Sequence, residues 1–264
     1  MRKPLCGNGK VDAMKWAVEI PETSLERRNL DDLLKDLGFR VVDGIDSIAF
    51  ASPSFDLLDS SAKVWAEAKR VRDVFRGPAS IDPRFALGSV IDFGSGAPKR
   101  HRFLEAEPGC AVVAGGGATI TISPPAGLSA EALAAWHSAR AEREYQLRLE
   151  SQRAKLVPAF REPRAVTVLE LLQRKSHTGE SLYRIYELIE GPPANRSQLH
   201  ARFGISQREF DRFRDCVHNP LVSGDLARHT YASAPRTSDS MAIKEAQDFV
   251  SRLAESWLSW IRST

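Results

Sequence analysis

The segment Gly224-Asp225-Leu226-Ala227-Arg228-His229 holds the residue types that general acid–base chemistry needs. A histidine beside an arginine and near a carboxylate can take up a proton or hold an anionic group. Asp225, Arg228 and His229, with His218 upstream, are therefore the candidate catalytic residues. The same residues have a structural use: Asp225 can pair with Arg228, and His229 can cap a helix or bond a main-chain carbonyl. A second set is basic. Gln207, Arg208, Arg212 and Arg214 fall on one short segment, and Lys99, Arg100 and Arg102 follow the turn at Ala97-Pro98. Arg and Gln match base edges in a major groove, and Lys and Arg meet phosphates. The ordinary use of a cluster such as the second is a solvated strand end near a sheet edge.

Other chemistries leave no pattern. The six histidines contain no pair at helical metal spacing, and Cys6, Cys110 and Cys216 lie too far apart for a zinc site or a disulfide framework. No cofactor and no metal is expected. Gly115-Gly116-Gly117 precedes the alternating stretch ATITIS, so a hairpin turn fits it better than a phosphate cradle. Glu105 and Glu107 alternate on one strand face, with nothing in the sequence to make them a catalytic pair.

The basic segment needs a scaffold, and its apolar residues supply one. Leu199, Phe203, Ile205, Phe210 and Phe213 are spaced so that two short helices meeting near Gly204 turn their apolar faces together. Gly204 suits a left-handed helix end, and Ser206 with Glu209 forms an S-x-x-E capping box for the second helix. That arrangement is helix-turn-helix-like, although bulky His200 stands where such motifs usually carry a small residue. Two packed helices with a tight turn look the same in domains that touch no nucleic acid.

The surrounding chain reads as α+β. Residues 1–13 have the texture of a disordered leader, with Met14 as the natural start. Residues 14–124 read as an N-terminal α/β sandwich-like domain, a split βαββαβ sheet with an added antiparallel meander. Its parts are strands at WAVEI, FRVVDG and SIAFAS, a Ser24-capped helix ended by Gly38, a helix from Phe55 to Phe75, and strands at FALGSVIDFG, KRHRFLEAE, CAVVAG and ATITIS. Residues 128–158 predict a long, polar connecting helix ended by Pro158, about 43 Å from Ser129 to Val157 at about 1.5 Å per residue. Residues 164–264 predict a C-terminal helical bundle. Leu182, Ile185, Tyr186 and Ile189 stripe one helix, and Phe249, Leu253, Trp257, Trp260 and Ile261 stripe the last.

The runs LYRIYELIE, GISQREFDRF, HNPLVSGDLARH and MAIKEAQDFVSRLAESWLSW together resemble the C-terminal region of a loose set of uncharacterised bacterial proteins. These share a Gly-Asp-x-Ala-Arg-His loop and a final Trp-bearing helix. Ala242 departs from the hydroxyl cap expected at the start of that helix. The resemblance implies the helical architecture and carries no known activity.

A formal charge of +3 on 264 residues is too small to imply nucleic acid by itself, although the basic excess is concentrated between residues 136 and 214. No apolar run reaches membrane-spanning length, and the cysteine usage fits a reducing cytoplasm. The expectation is a cytoplasmic, non-enzymatic regulatory or assembly protein that binds a protein partner or itself. Nucleic-acid binding through the hinge helices is the first alternative, and an enzyme built on the Asp-Arg-His loop is the second.

Overall fold

Short runs of β-branched and aromatic residues, broken by turns, build the sheet. In the computed structural model, residues 14–77, 79–94, 97–103, 124, 129–230, 235 and 239–264 are described. Trp16–Glu19 (β1), Arg40–Asp43 (β2), Ile48–Ala51 (β3), Val90–Asp92 (β4) and Lys99–His101 (β5) pair in the order β2-β3-β1-β4-β5, every pair antiparallel. The register sets Val18 opposite both Phe50 and Val90, which places these three on one face. Ala17, Glu19 and Ala49 take the other. Helices Arg27–Asp36 (α1), Pro53–Asp56 (α2) and Ser61–Arg76 (α3) lie between the strands in sequence. The order is that of a split βαββαβ sheet with β5 added at an edge, and the chain is α+β.

Phe50 carries the aromatic core of this part. Its ring centroid lies 5.5 Å from Phe39, 5.7 Å from Phe55 and 6.3 Å from Phe85, which in turn stacks on Phe75 at 4.7 Å. Each such ring is buried and contributes roughly 1.5–3 kcal/mol.

Several boundaries differ from the sequence reading. Ser24 does not cap α1, because its hydroxyl donates to the buried Asp82 carboxylate at 2.6 Å and its N–H to the same group at 2.9 Å. Burial pushes the Asp82 carboxyl up, but these bonds and those from Thr23 and the Arg84 N–H outweigh it and hold it below the usual range. The helix read from Phe55 to Phe75 is two, since the chain breaks between Asp56 and Ser61. There Leu58 turns its carbonyl to the Trp16 indole at 3.2 Å. The leader at 1–13, the strands at CAVVAG and ATITIS, the triple glycine, and Glu105 and Glu107 lie outside the described residues.

The long helix, Ala130–Arg161 (α4), runs through Pro158. A proline there forfeits one N–H bond. Leu156, Val157 and Ala159 around it are buried, and the Glu162 N–H closes the last turn on the Pro158 carbonyl at 2.9 Å. Packing therefore outweighs the lost donor.

Contacts divide the chain into two compact units: Met1–Arg76 with Asp82–Leu149, and Gly77–Ile81 with Glu150–Thr264. In the second unit follow Pro163–Leu172 (α5), Gly179–Glu190 (α6), Arg196–Phe203 (α7), Gln207–His218 (α8), Pro220–Ser223 (α9) and Ile243–Ser263 (α10). The periodic stripes of α6 and α10 are buried against each other and against α8, except that Trp260, read as part of the α10 stripe, is 37% exposed. Ala242 has no oxygen with which to cap α10, yet its N–H donates to Glu245 at 2.8 Å, which is half of a capping box. At the other end Arg161 donates to the carbonyls of Ile261 and Arg262, each at 3.2 Å, and satisfies two acceptors that a helix terminus leaves open. Among the described residues, no helix is long and apolar enough to cross a membrane.

Candidate functional site

Helix α6 starts from a reciprocal cap. The Thr178 hydroxyl accepts from the Ser181 N–H at 3.3 Å, and the Ser181 hydroxyl accepts from the Thr178 N–H at 2.9 Å. Residues four apart on the helix share a face, so Tyr183 stands over Glu187 and Tyr186 over Glu190. These two ladders organise the polar groups of the helical unit.

The Tyr183 ladder meets the loop predicted to carry chemistry. Arg228 lies over the Tyr183 ring at 4.8 Å and pairs with Glu187 at 3.6 Å, while its N–H donates to the Val217 carbonyl at 2.7 Å. His218 meets Tyr183 edge-on at 4.3 Å, and His229 stacks on His218 at 4.8 Å. Gly179 permits this approach, because a Cβ there would come within 2.3 Å of the Val217 oxygen. Arg228, His229 and His218 are thus brought together, but the carboxylate beside Arg228 is Glu187 and not Asp225. Asp225 is exposed and, among the described residues, makes no hydrogen bond or ion pair. Among the described residues no carboxylate orients His229, which a base of the expected kind requires.

The Tyr186 ladder holds the hinge. Gly204 adopts φ 67°, the left-handed end that the turn needs, and Ser206 caps α8 by accepting from the Glu209 N–H at 3.1 Å. His200, the bulky residue at the crossing, fits because its ring meets Phe210 edge-on at 4.8 Å and its Nε2 bonds the Tyr186 hydroxyl at 2.9 Å. Burial, and then the Arg196 charge, lower the His200 pKa. Burial, and then Glu190, raise that of Tyr186. Glu190 is 3% exposed and takes Arg196 at 2.5 Å.

The basic face of α8 is largely occupied. Arg212 donates through Nε to the Asp239 carbonyl at 2.6 Å and lies near the carboxylates of Asp239 at 3.3 Å and Glu245 at 3.8 Å, leaving 24% of its side chain exposed. Arg214 rests over the Phe210 ring at 5.6 Å. Gln207 and Arg208 remain at the surface, Arg208 with 77% exposure and one long contact to Asp239 at 3.3 Å. The other basic cluster belongs to the first unit. There Arg100 reaches over Ile91 to the buried carboxylate of Glu19 at 2.5 Å and also pairs with Asp46, while Lys99 and Arg102 are exposed.

Two observations were beyond sequence reasoning. Cys216 is buried, and burial pushes its thiol up to about 11, the environment of a structural cysteine. Between α4, α5 and α10 lies an open groove of about 410 Å³, with Leu169, Leu172 and Leu258 as its apolar floor and Lys155 and Glu255 on its rim. Nothing in the helical periodicities says that these neighbouring helices leave a gap. Among the described residues, no cluster of three or more His, Cys, Asp or Glu could hold a metal ion. Comparison with protein-family models, with curated proteins and with solved structures finds no match.

Proposed function

We propose that this is a non-enzymatic regulatory or assembly protein that works by binding another protein through its helical unit. The groove floored by Leu169, Leu172 and Leu258 is the observation that carries the reading. Its apolar floor and rim of opposite charges, Lys155 and Glu255, suit the apolar stripe of an amphipathic helix laid between α5 and α10. The state of the candidate catalytic loop agrees, since its carboxylate stands apart from its histidines. The expected bacterial setting is part of the same proposal and rests on the resemblance of the region from Leu182 to Trp260, and the cytoplasmic one rests on the cysteine usage.

The test is chemical cross-linking in the cells that make the protein, comparing the native chain with Leu172→Glu. Leu172 is half-buried at the groove, so a charge there blocks an apolar ligand while the helices stay folded. The proposal expects a discrete cross-linked species that the variant loses. A species retained in full by a folded variant contradicts it.

A second reading, nucleic-acid binding, draws on the left-handed turn at Gly204 and on Gln207 and Arg208 exposed at the start of α8. Salt-dependent gel shifts lost in Arg208→Ala would favour it.

A further inference from the structure

Trp257 and Trp260 lie one turn apart on α10, and each has an arginine over its ring. The Arg164 guanidinium is 5.7 Å from the Trp257 centroid, and that of Arg202 is 4.2 Å from the Trp260 centroid. A cavity of about 110 Å³ lies against both pairs, and Asn195 and Gln198 complete its polar wall. That is less than the roughly 150 Å³ of a cavity that encloses benzene, so a bound ring would project in part through the open mouth of the cavity.

The donors at this cavity outnumber what the protein uses. Arg164 gives Nε and Nη2 to Glu162 and Nη1 to the Leu188 carbonyl, three of its five N–H groups. Among the described residues Arg202 makes no hydrogen bond or ion pair, and its guanidinium has the Trp260 face alone. The carboxylate at the wall, Glu190, is already taken by Arg196 at 2.5 and 3.2 Å. The cavity therefore presents forked cationic donors and two primary amides above an aromatic floor, with its acidic group neutralised. Forked donors match the two oxygens of a planar carboxylate, and an aromatic floor favours a flat apolar body.

We propose that this cavity binds a small carboxylate with an aromatic or other flat apolar body, its oxygens on Arg202 and the unused N–H groups of Arg164 and its body against the exposed Trp260, with the buried Trp257 behind it. The site shares no residue with the groove and stands independently of the protein-binding reading.

Benzoate is the probe and benzamide, of the same shape but neutral, the control. Binding to the full chain is followed by the indole N–H resonances of Trp257 and Trp260. The expected result is saturable binding of benzoate that moves both resonances, with benzamide and the Arg202→Gln variant each weaker by at least about tenfold. Arg202 is exposed, so its loss leaves the helices packed. Gln198→Leu, also on the exposed face of α7, supplies a second variant with the same expected direction. Absence of saturation with benzoate, equal binding of benzamide, or unchanged affinity in both folded variants overturns the proposal.

Discussion

Arg212 donates from Nε to the main-chain carbonyl of Asp239 at 2.6 Å, so a side chain spaced for reading DNA instead ties the start of α10's approach to α8. Replacing Arg212 with Ala should lower stability by about 0.5–1.5 kcal/mol, the usual net worth of such a bond. Arg208→Ala, at a far more exposed position, should stay within about 0.5 kcal/mol. Urea unfolding of the two variants side by side checks the contrast. Equal and negligible effects would mean that the Asp239 contact is not formed in solution.

The Tyr186–His200 bond makes a pH prediction. The pKa of His200 is lowered by burial and by Arg196 from the ordinary 6.5, so the unfolded chain binds its proton more readily than the folded one. Its contribution is therefore fully present above that ordinary value and is lost as pH falls through the folded one. Stability should decline as pH falls below the ordinary 6.5, and His200→Phe should flatten part of that decline while costing stability at neutral pH. His177, also lowered by burial and then by Arg174, supplies a further share with the same sign. An identical slope in the variant would remove His200 from the account.

How much of this was legible depends on whether the physical signal is local. The stripe of α6, most of that of α10, the left-handed Gly204 and the Ser206 half of the α8 capping box are written within a few residues of where they act, while Trp260 of the α10 stripe is exposed. The order of β1 to β4 and their helices followed from alternation and turns. Ser24 was misread as a cap because its true partner, Asp82, is distant in sequence and became visible only with the sheet closed. Pro158 misled for the same reason: a local rule about donors met tertiary packing of Leu156 and Val157. In the candidate site, the grouping of Arg228 and His229 with His218 was legible, but the partners Glu187 and Tyr183 were set by how α6 meets the loop. The groove had no sequence signal at all, because a gap is a property of three helices together.

Arg100 illustrates a basic residue with a structural partner. Burial pushes the Glu19 carboxyl up, but hydrogen bonds from Arg100 and from the Asp46 and Ile45 N–H groups outweigh it and hold it below the ordinary 4.5. That stabilisation is present above 4.5 and lost as pH falls through the folded value. Arg100→Ala should thus lower stability at neutral pH, because Glu19 is left buried without its cation, and lower it less in acid. Chemical denaturation at the two pH values measures it, and a pH-independent difference would argue against the pair.

Gly179→Ala should displace the segment carrying His218 and His229, since the new Cβ would sit 2.3 Å from the Val217 oxygen. A cost above about 2 kcal/mol with shifted resonances of both histidines is expected, as overpacking against backbone cannot relax by a rotamer change. Unmoved histidine resonances would show that the loop does not rest on α6.

The central claim is that the helical unit meets a protein at its groove and not nucleic acid at α8. The most direct measurement places a photoreactive side chain at Ser259, on the groove, or at Gln207, exposed at the start of α8, and irradiates the cells that make the full chain. The account predicts a discrete protein adduct from position 259, abolished by Leu172→Glu, and no nucleic-acid adduct from position 207. Nucleic acid captured from position 207, with nothing specific from position 259, would contradict it.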